Sequence, residues 1–429
     1  MGEHCNLRST ILACVCGIIL FNTGLHLVLV EGTDRYKLWL SPLKLIFKAY
    51  IFNVTNPDGV MQGEPPNLVE CGPYVYDEIM GKEVLDVDED TDEITYIQKK
   101  FYTFNKKLTG NISMSEKLTI LNAAYMGSIQ LSQFPESFLQ EHGENIPKLF
   151  QNPNSIFISA KPADILFNGM KLTCNAKKYP ELSLICDILK AKKPPIIKDG
   201  AKENNYLFSF FDKENGTAQG PFTIKRGLKN LNSVGILSAI SGQHMLKIWN
   251  SESCNTVKGS DGLTWNTLIL QNSDYKCLFC NIKYFRTMQI KYKYDVIING
   301  LTGARYIMAE EIWNPENIDC YCPIVNKSKA CLPKGLLDVN KCQDVPTIVS
   351  EPHFLHADPE LLKYAKGLKP KEKDHQTYIA IELVTGTPIS GQKRIQFNLE
   401  LSRKPVTLLA NVSEGYFPLV WCDEVSFFQ

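Results

Sequence analysis

Cys320, Cys322, Cys331 and Cys342 crowd into one short stretch, IDCYCPIVNKSKACLPKGLLDVNKC (Ile318–Cys342), and nothing else in the chain restricts its folding so sharply. Four thiolates this close could surround a zinc ion tetrahedrally. Zinc ribbons and fingers, however, usually set each ligand pair two to four residues apart. Here one residue separates Cys320 from Cys322, and ten separate Cys331 from Cys342. Between the pairs lies the glycosylation sequon Asn326-Lys-Ser. A glycan there would place the segment in an oxidising compartment, where thiols become disulfides. The compartment therefore decides the chemistry.

The rest of the chain bears on that compartment. Fourteen cysteines in 429 residues are many for a cytosolic protein and fit an exported one. Further sequons stand at Asn53, Asn111, Asn215 and Asn411, spread as on one extracytoplasmic body. The run ILACVCGIILFNTGLHLVLV (Ile11–Val30) is long enough to cross a bilayer as a helix. It exceeds a usual signal-peptide core and no small-x-small site follows, which favours an uncleaved anchor over a cleaved leader. Residues 1–10 are then a short cytoplasmic N-terminus, 11–30 a transmembrane helix and 31–429 the ectodomain. Cys5, Cys14 and Cys16 sit at its inner end, unbridged or palmitoylated. With 46 basic and 46 acidic side chains there is no net field to draw in nucleic acid.

Past the anchor, short alternating runs broken by turn residues predict antiparallel sheet. In RIQFNLEL, Ile395, Phe397, Leu399 and Leu401 share one face while Arg394, Gln396, Asn398 and Glu400 share the other. TYIAIELVTGTPISG before it predicts a partner strand joined through Thr-Gly-Thr-Pro, and Tyr206–Gly227 reads as another strand, turn and strand. Helical signals gather between about Ser115 and Lys193, with Pro135, Pro162 and Pro180 each at a first helical position. The same region carries Lys171, Lys177, Lys178, Lys190, Lys192, Lys193, Lys198 and Lys202. Such a run serves as a solvated face, or as a surface that collects fatty carboxylates.

Signatures of chemistry do not converge. There is no G-x-S-x-G elbow, Walker loop or dinucleotide fingerprint. PHFLHADP offers His353, His356 and Asp358 as metal ligands from one turn, but a structured loop accounts for it more simply. DVDEDTDEI (Asp86–Ile94) begins like a calcium loop, yet lacks the turn glycine and the closing glutamate. It reads as a solvated hairpin tip.

Specific stretches then match a family. IFNVTNPDGVMQGEPPNLVECGPYVYDE, ILNAAYMG, CYC, PHFLHADP and RIQFNLEL follow in the order found in the class B scavenger receptor family, which the chain resembles over nearly its whole length. SAKPADILFNGMKLTC, YLFSFFDKENGT, IKRGLKN and WNSESCNTVKGSDG are most similar to its insect sensory neuron membrane protein branch. The resemblance implies an α+β fold: a large antiparallel β-barrel-like ectodomain crossed by an apolar tunnel, a helical head within about 115–200, and a disulfide-rich region over 254–342. It implies bridges Cys254–Cys320, Cys280–Cys342 and Cys322–Cys331, with Cys277 an alternative to Cys280. Cys174 and Cys186 match an additional pair in the insect branch that could bridge within the head. Cys71 and Cys422 stand where relatives usually have other residues. Relatives end with a second transmembrane helix after a segment like YFPLVWCDEVSF, and this sequence shows none.

By the same resemblance, the expected function is that of a non-enzymatic plasma-membrane receptor with an extracellular ectodomain. It would bind lipophilic molecules such as fatty-acid-derived pheromones and pass them toward the membrane and an odorant receptor complex, without catalytic residue, metal or cofactor. Lys190, Lys192, Lys193 and Lys198 are the candidates for capture. A scavenger receptor for lipid particles or carotenoids is the alternative, and a lipid hydrolase the reading from the enzyme class.

Overall fold

A computed structural model of the chain describes residues 27–130, 136–191, 193–194, 196–266, 277–281, 286–325, 327–343 and 345–427. The fold is built around β1 (Leu43–Val54), whose alternation buries Leu45, Phe47, Ala49 and Ile51. In chain order there follow β2 (Leu68–Asp88), β3 (Glu93–Phe104), β4 (Ala218–Lys225), β5 (Leu237–Ile240), β6 (Cys277–Asn281), β7 (Arg286–Ile298) and β8 (Leu301–Met308). The last five are β9 (Leu337–Asp338), β10 (Ile348–Ser350), β11 (Tyr378–Glu382), β12 (Pro388–Leu401) and β13 (Gly415–Phe427). All thirteen form one sheet in the order β5-β4-β3-β2-β1-β13-β12-β11-β8-β7-β6, with β9 on β10 and β10 on β12.

This sheet is antiparallel at every named pairing, but the expected barrel is not closed. Among the described residues β5 and β6 end the order without pairing to each other. At the β5 end, side-chain packing covers the sheet. Helix α1 (Asp34–Leu40), capped by Thr33 accepting from the Tyr36 N–H, brings Trp39 against Tyr96 of β3. Leu29, Trp39, Ile94, Phe222, Ile224 and Leu237 form one buried cluster there.

Leu29 belongs to the end of the apolar run, yet it is fully buried and its N–H donates to the Arg226 carbonyl at 2.9 Å. Val28 is buried beside it. The run thus ends in the protein core, while its first residues, 11–26, lie outside the described residues. Among the described residues no helix is long and apolar enough to cross a membrane.

The middle of the chain forms a head on this sheet. Helices α2 (Ala123–Gln130), α3 (Glu136–His142) and α4 (Ser183–Ala191) stand beside two small sheets, Leu118–Leu121 with Phe157–Ala160 and Met170–Thr173 with Asn205–Phe208 and Ile197–Asp199. Pro180 starts the 3-10 turn that leads into α4, as the sequence predicts, whereas Pro135 lies outside the described residues. The expected hairpin over Tyr206–Gly227 does not form. Its first strand joins the head sheet, between Met170–Thr173 and Ile197–Asp199, and its second, β4, joins the main sheet between β3 and β5, so the two do not pair with each other. Head and sheet share one core, running from Phe47 and Trp421 to Leu166 and Leu182.

The β12 alternation holds, with Ile395, Phe397, Leu399 and Leu401 on one face, although the pairing with β13 shifts register between Phe397 and Asn398. Its polar face, however, is solvated only at Glu400. Gln396 and Asn398 are fully buried, because β10 and the loop after it cover them. There Gln396 Oε1 accepts from the His353 N–H at 2.7 Å and Asn398 Nδ2 donates to Ser350 Oγ at 3.0 Å. Each buried amide is satisfied, which is what makes its burial tolerable.

Candidate functional site: a chain of cavities

Three cavities succeed one another from the head to α1. The upper one, about 160 Å³, lies where α2, α3 and α4 meet the sheet. Ile185, Ile188 and Leu189 line it from α4, spaced as one face of a helix. Phe208 and Phe210 of the head and Phe397 of β12 complete an apolar wall. Its base is Lys213 and Glu214, on the turn Asp212–Glu214.

Glu214 also lines the middle cavity, of about 220 Å³. Strands from β2 across to β7 contribute Leu45, Met80, Ile290, Tyr306 and Ile379 to it, so the open sheet curls around this space. At the Glu214 end the lining turns polar. Gln98 Nε2 donates to Gln219 Oε1 at 3.0 Å. Lys100 Nζ stands 2.7 Å from Glu78 Oε1 and 3.2 Å from Glu424 Oε1, and Lys393 Nζ is 3.2 Å from Glu424 Oε2.

Burial pushes the Glu78 carboxyl up to about 7 even though Lys100 pulls it down. Burial also opposes the Lys100 ammonium, but Glu424 and Glu78 together hold its proton well above the ordinary lysine value. The neck between the two cavities therefore sets Lys100 and Lys393, with Lys213 at the base of the upper cavity, among the acidic side chains Glu78, Glu424 and Glu214. A third cavity, about 680 Å³, shares Leu43, Leu45, Met80 and Leu263 with the middle one and reaches Arg35 and Trp39 of α1. Lys82 on its wall donates to the Trp39 carbonyl at 2.6 Å and stands 4.3 Å over the Trp39 ring. Burial brings its ammonium down to about 8.

The neck was missed in the sequence, yet a signal was there. Strand alternation in EITYIQKKF puts Gln98 and Lys100 on the same face as Ile94 and Tyr96, and the three buried side chains Tyr76, Glu78 and Met80 alternate likewise.

The lysine candidates border the upper cavity, interleaved with its lining at Ile188, Leu189, Pro194 and Ile197. Lys190 is exposed in the last turn of α4. Lys193 pairs with Asp199 at 2.5 Å and Lys198 pairs with Asp212, which reduces their pull on a distant anion. Lys192 lies outside the described residues.

Disulfides join Cys174 to Cys186, Cys254 to Cys320 and Cys322 to Cys331, so Cys320, Cys322 and Cys331 are not available as zinc thiolates. The side chains of Cys277, Cys280 and Cys342 lie outside the described residues. Cys71 and Cys422 are not joined: β1 runs between them, with Ile51 opposite Cys71 and Ala49 opposite Cys422. Of the sequon asparagines, Asn111, Asn215 and Asn411 are exposed, and Asn326 lies outside the described residues. Asn53 is half-buried, its Oδ1 accepting from the Thr119 N–H at 2.8 Å.

His353, His356 and Asp358 do not converge. Asp358 caps the helix Pro359–Lys363 and His356 Nδ1 bonds Glu351 at 2.7 Å. Instead His353 meets Glu70 and His375, with ligand atoms within 4.8 Å of one another. The hydrogen bonds there argue against a metal. His353 Nδ1 accepts from the Lys369 N–H and His375 Nδ1 from the Lys371 N–H, so in each neutral ring Nε2 carries the hydrogen and lacks the lone pair a metal needs. His353 Nε2 donates to Glu70 Oε2 at 2.6 Å, and Trp421 Nε1 donates to the same oxygen at 2.7 Å. Both His353 nitrogens are thus engaged, and it cannot serve a nucleophile as base without breaking this arrangement. The acidic stretch Asp86–Ile94 is a hairpin tip, with Asp88 Oδ1 accepting from the Asp90 and Thr91 N–H groups.

The profile of the CD36 family matches residues 7–428. Sensory neuron membrane protein 1 of Apis mellifera is 34% identical over 408 residues, which cover 93% of this chain and 76% of the relative. Sensory neuron membrane protein 2 of Manduca sexta is 33% identical over 410 residues, 92% of this chain and 78% of the relative. Sensory neuron membrane protein 1 of Heliothis virescens is 32% identical over 422 residues, 96% and 79%.

Proposed function

Because the chain belongs to the CD36 family, that of the class B scavenger receptors, we propose that it is a non-enzymatic membrane receptor that takes up lipophilic molecules and conducts them through its interior toward the bilayer. The observation that carries this reading is the succession of shared walls, Glu214 between the upper and middle cavities and Leu43, Leu45, Met80 and Leu263 between the middle and lower ones. Joined end to end by small side-chain movements, the three cavities make a tunnel from the head to α1. Each methylene buried from water contributes roughly 0.8 kcal/mol, so an apolar chain of about a dozen carbons is held without any charged ligand. The apolar run before α1 is the anchor that keeps the exit beside the membrane, with the ectodomain outside the cell.

The neck sets the class of cargo. A fatty carboxylate passing Glu214 would find Lys100 and Lys393 already paired with Glu78 and Glu424, whereas an ester, alcohol or aldehyde adds no charge and can accept or donate a hydrogen bond at Lys100 or Gln98. The cargo is therefore a neutral-headed, fatty-acid-derived molecule, and the likeness to sensory neuron membrane proteins supports pheromone delivery to an odorant receptor complex. Mass spectrometry of lipids that co-purify with the chain tests this reading. Neutral long-chain esters, alcohols or aldehydes are expected; a lipid-free protein, or one loaded with fatty acids alone, would overturn it.

A further inference from the structure

The hairpin of β7 and β8 projects beyond the body of the sheet and is dressed in layers. β6 pairs β7 only over Arg286–Ile290, and β11 pairs β8 only over Gly303–Ile307. From Lys291 to Thr302 the two strands therefore have, among the described residues, only each other as ladder partners. Asn299 and Gly300 close the tip with φ of 50° and 82°, the two-residue turn that an Asn-Gly pair favours. Flanking the tip, Ile297 is 76% and Leu301 51% exposed. Val384, in the adjoining turn between β11 and β12, is 67% exposed. Further from the tip come exposed Tyr292 and Tyr294, with Lys291 and Lys293 interleaved. Arg305 stands 3.4 Å over the Tyr378 ring and 5.8 Å from that of Tyr294. The acids of this surface are Asp295, bonded to the Tyr292 hydroxyl, Glu372, 3.8 Å from Lys293, and Glu382, whose carboxylate accepts from the Val384 and Thr385 N–H groups of the turn.

The tip lies at the end of the sheet that carries α1. Glu382 is opposite Gly303, and the turn after it is tied to Trp265, whose N–H donates to the Gly386 carbonyl at 3.0 Å. The Trp265 carbonyl in turn accepts from Arg35 of α1 at 3.1 Å. Gly386 is required at that contact, since its φ is +69° and a Cβ would lie 1.9 Å from the Trp265 oxygen. Leu38 of α1 is also half-exposed. Arg35 also donates to the Leu27 carbonyl, so the chain enters the body beside this edge, and the residues before 27, read as the anchor, lead away from it.

We infer that the β7–β8 hairpin and the β11–β12 turn rest on the lipid bilayer, with Ile297, Leu301 and Val384 inserted at the acyl boundary. Tyr292, Tyr294, Lys291, Lys293 and Arg305 then sit at headgroup level. The order of residues along the hairpin is what favours lipid over a protein partner. Apolar side chains come first and aromatic and cationic ones behind them, the depth profile of a membrane interface. The tip reaches about 10 Å past Gly303, three residues at strand rise, which matches the depth of an interfacial element. Seating the hairpin covers its bare ladder edges, which would otherwise invite pairing with other chains. It also fixes the lower cavity over the bilayer surface. The inference rests on the reading of residues 11–30 as an anchor.

The test is photocrosslinking of the full chain in phosphatidylcholine nanodiscs. A diazirine-bearing amino acid is placed in turn at Ile297, Leu301 or Val384, with Leu20 as the anchor control and Lys213 as the head control. Lipid adducts from the first three and from Leu20, and none from Lys213, are expected. Adducts from Leu20 without any from Ile297 or Leu301 would overturn the hairpin proposal and leave the anchor standing. Absence at Leu20 as well would remove the anchor and the proposal together. Crosslinks from Ile297 to a second protein copy in place of lipid would also overturn it. Ile297→Asp with Leu301→Asp leaves the folded body untouched and lowers the lipid yield at Val384 by roughly fivefold, because a charged tip lifts the edge off the bilayer.

Discussion

Burial holds the His375 imidazole down to about 4, with the neighbouring His353 adding to the effect. The unfolded chain takes up a proton near 6.5, so between pH 6.5 and about 4 it binds one that the folded chain refuses, and stability falls as the pH drops through that window. His356 works the other way. Its hydrogen bond to Glu351 raises its pKa, so its contribution is complete at low pH and is lost as the pH rises through the folded value. His375→Asn, which keeps an acceptor for the Lys371 N–H, should flatten the acid limb of a plot of melting temperature against pH. An unchanged limb would assign the acid loss elsewhere. At the neck, Lys100→Met strands the buried Glu78 without its cation, while Glu424 keeps Lys393, and should cost about 3–5 kcal/mol in denaturant unfolding. Lys100→Met combined with Glu78→Leu should recover much of that, and failure to recover any would mean the pair is not the unit. Neither group was picked from the sequence, since a lysine in a strand reads as solvated until its inward neighbours are known to be buried.

Helix α4 illustrates what an element contributes. Its amphipathic face lines the upper cavity, and the Cys174–Cys186 bridge ties the helix to the end of the strand Met170–Thr173. A bridge closing a span of 12 residues contributes about 3 kcal/mol in the chain-entropy account. Cys174→Ser with Cys186→Ser should therefore speed hydrogen exchange of the α4 amides and slow lipid capture while the β1 and β13 amides stay protected. Equal loss of protection in β1 would show that the head does not open by itself. Much of the element level was legible. The β12 alternation, the Pro180 start and the hairpin at Asp88–Glu93 are local patterns of spacing and turn chemistry. Partner choice was not, as Tyr206–Gly227 shows: both strands form, but each pairs across a separation that local signals do not encode.

Across the whole molecule the proposed path predicts that Ile379→Trp, which fills the middle cavity, blocks transfer of a long-chain ester to acceptor vesicles at unchanged surface expression. Transfer equal to the unaltered protein would mean that the interior is not the route. Deglycosylation should shift the band and map glycans to Asn111, Asn215 and Asn411. Asn53 should stay bare, because its amide is half-buried and bonded; occupancy there would contradict this packing. By itself the sequence determined the family and the strand-rich body with a helical middle region. The strands and the helical middle follow from spacing and alternation, which act over a few residues, and the family from the resemblance of whole motifs in their order. Only the tertiary structure decided that the sheet stays open, that the polar face of β12 is buried, and that the cavities adjoin through a charged neck. Those outcomes depend on which strands lie side by side and what covers them. Glu78 and Glu424 flank one ammonium from opposite ends of the chain, and only the β2-β1-β13 pairing of the folded sheet brings them to it.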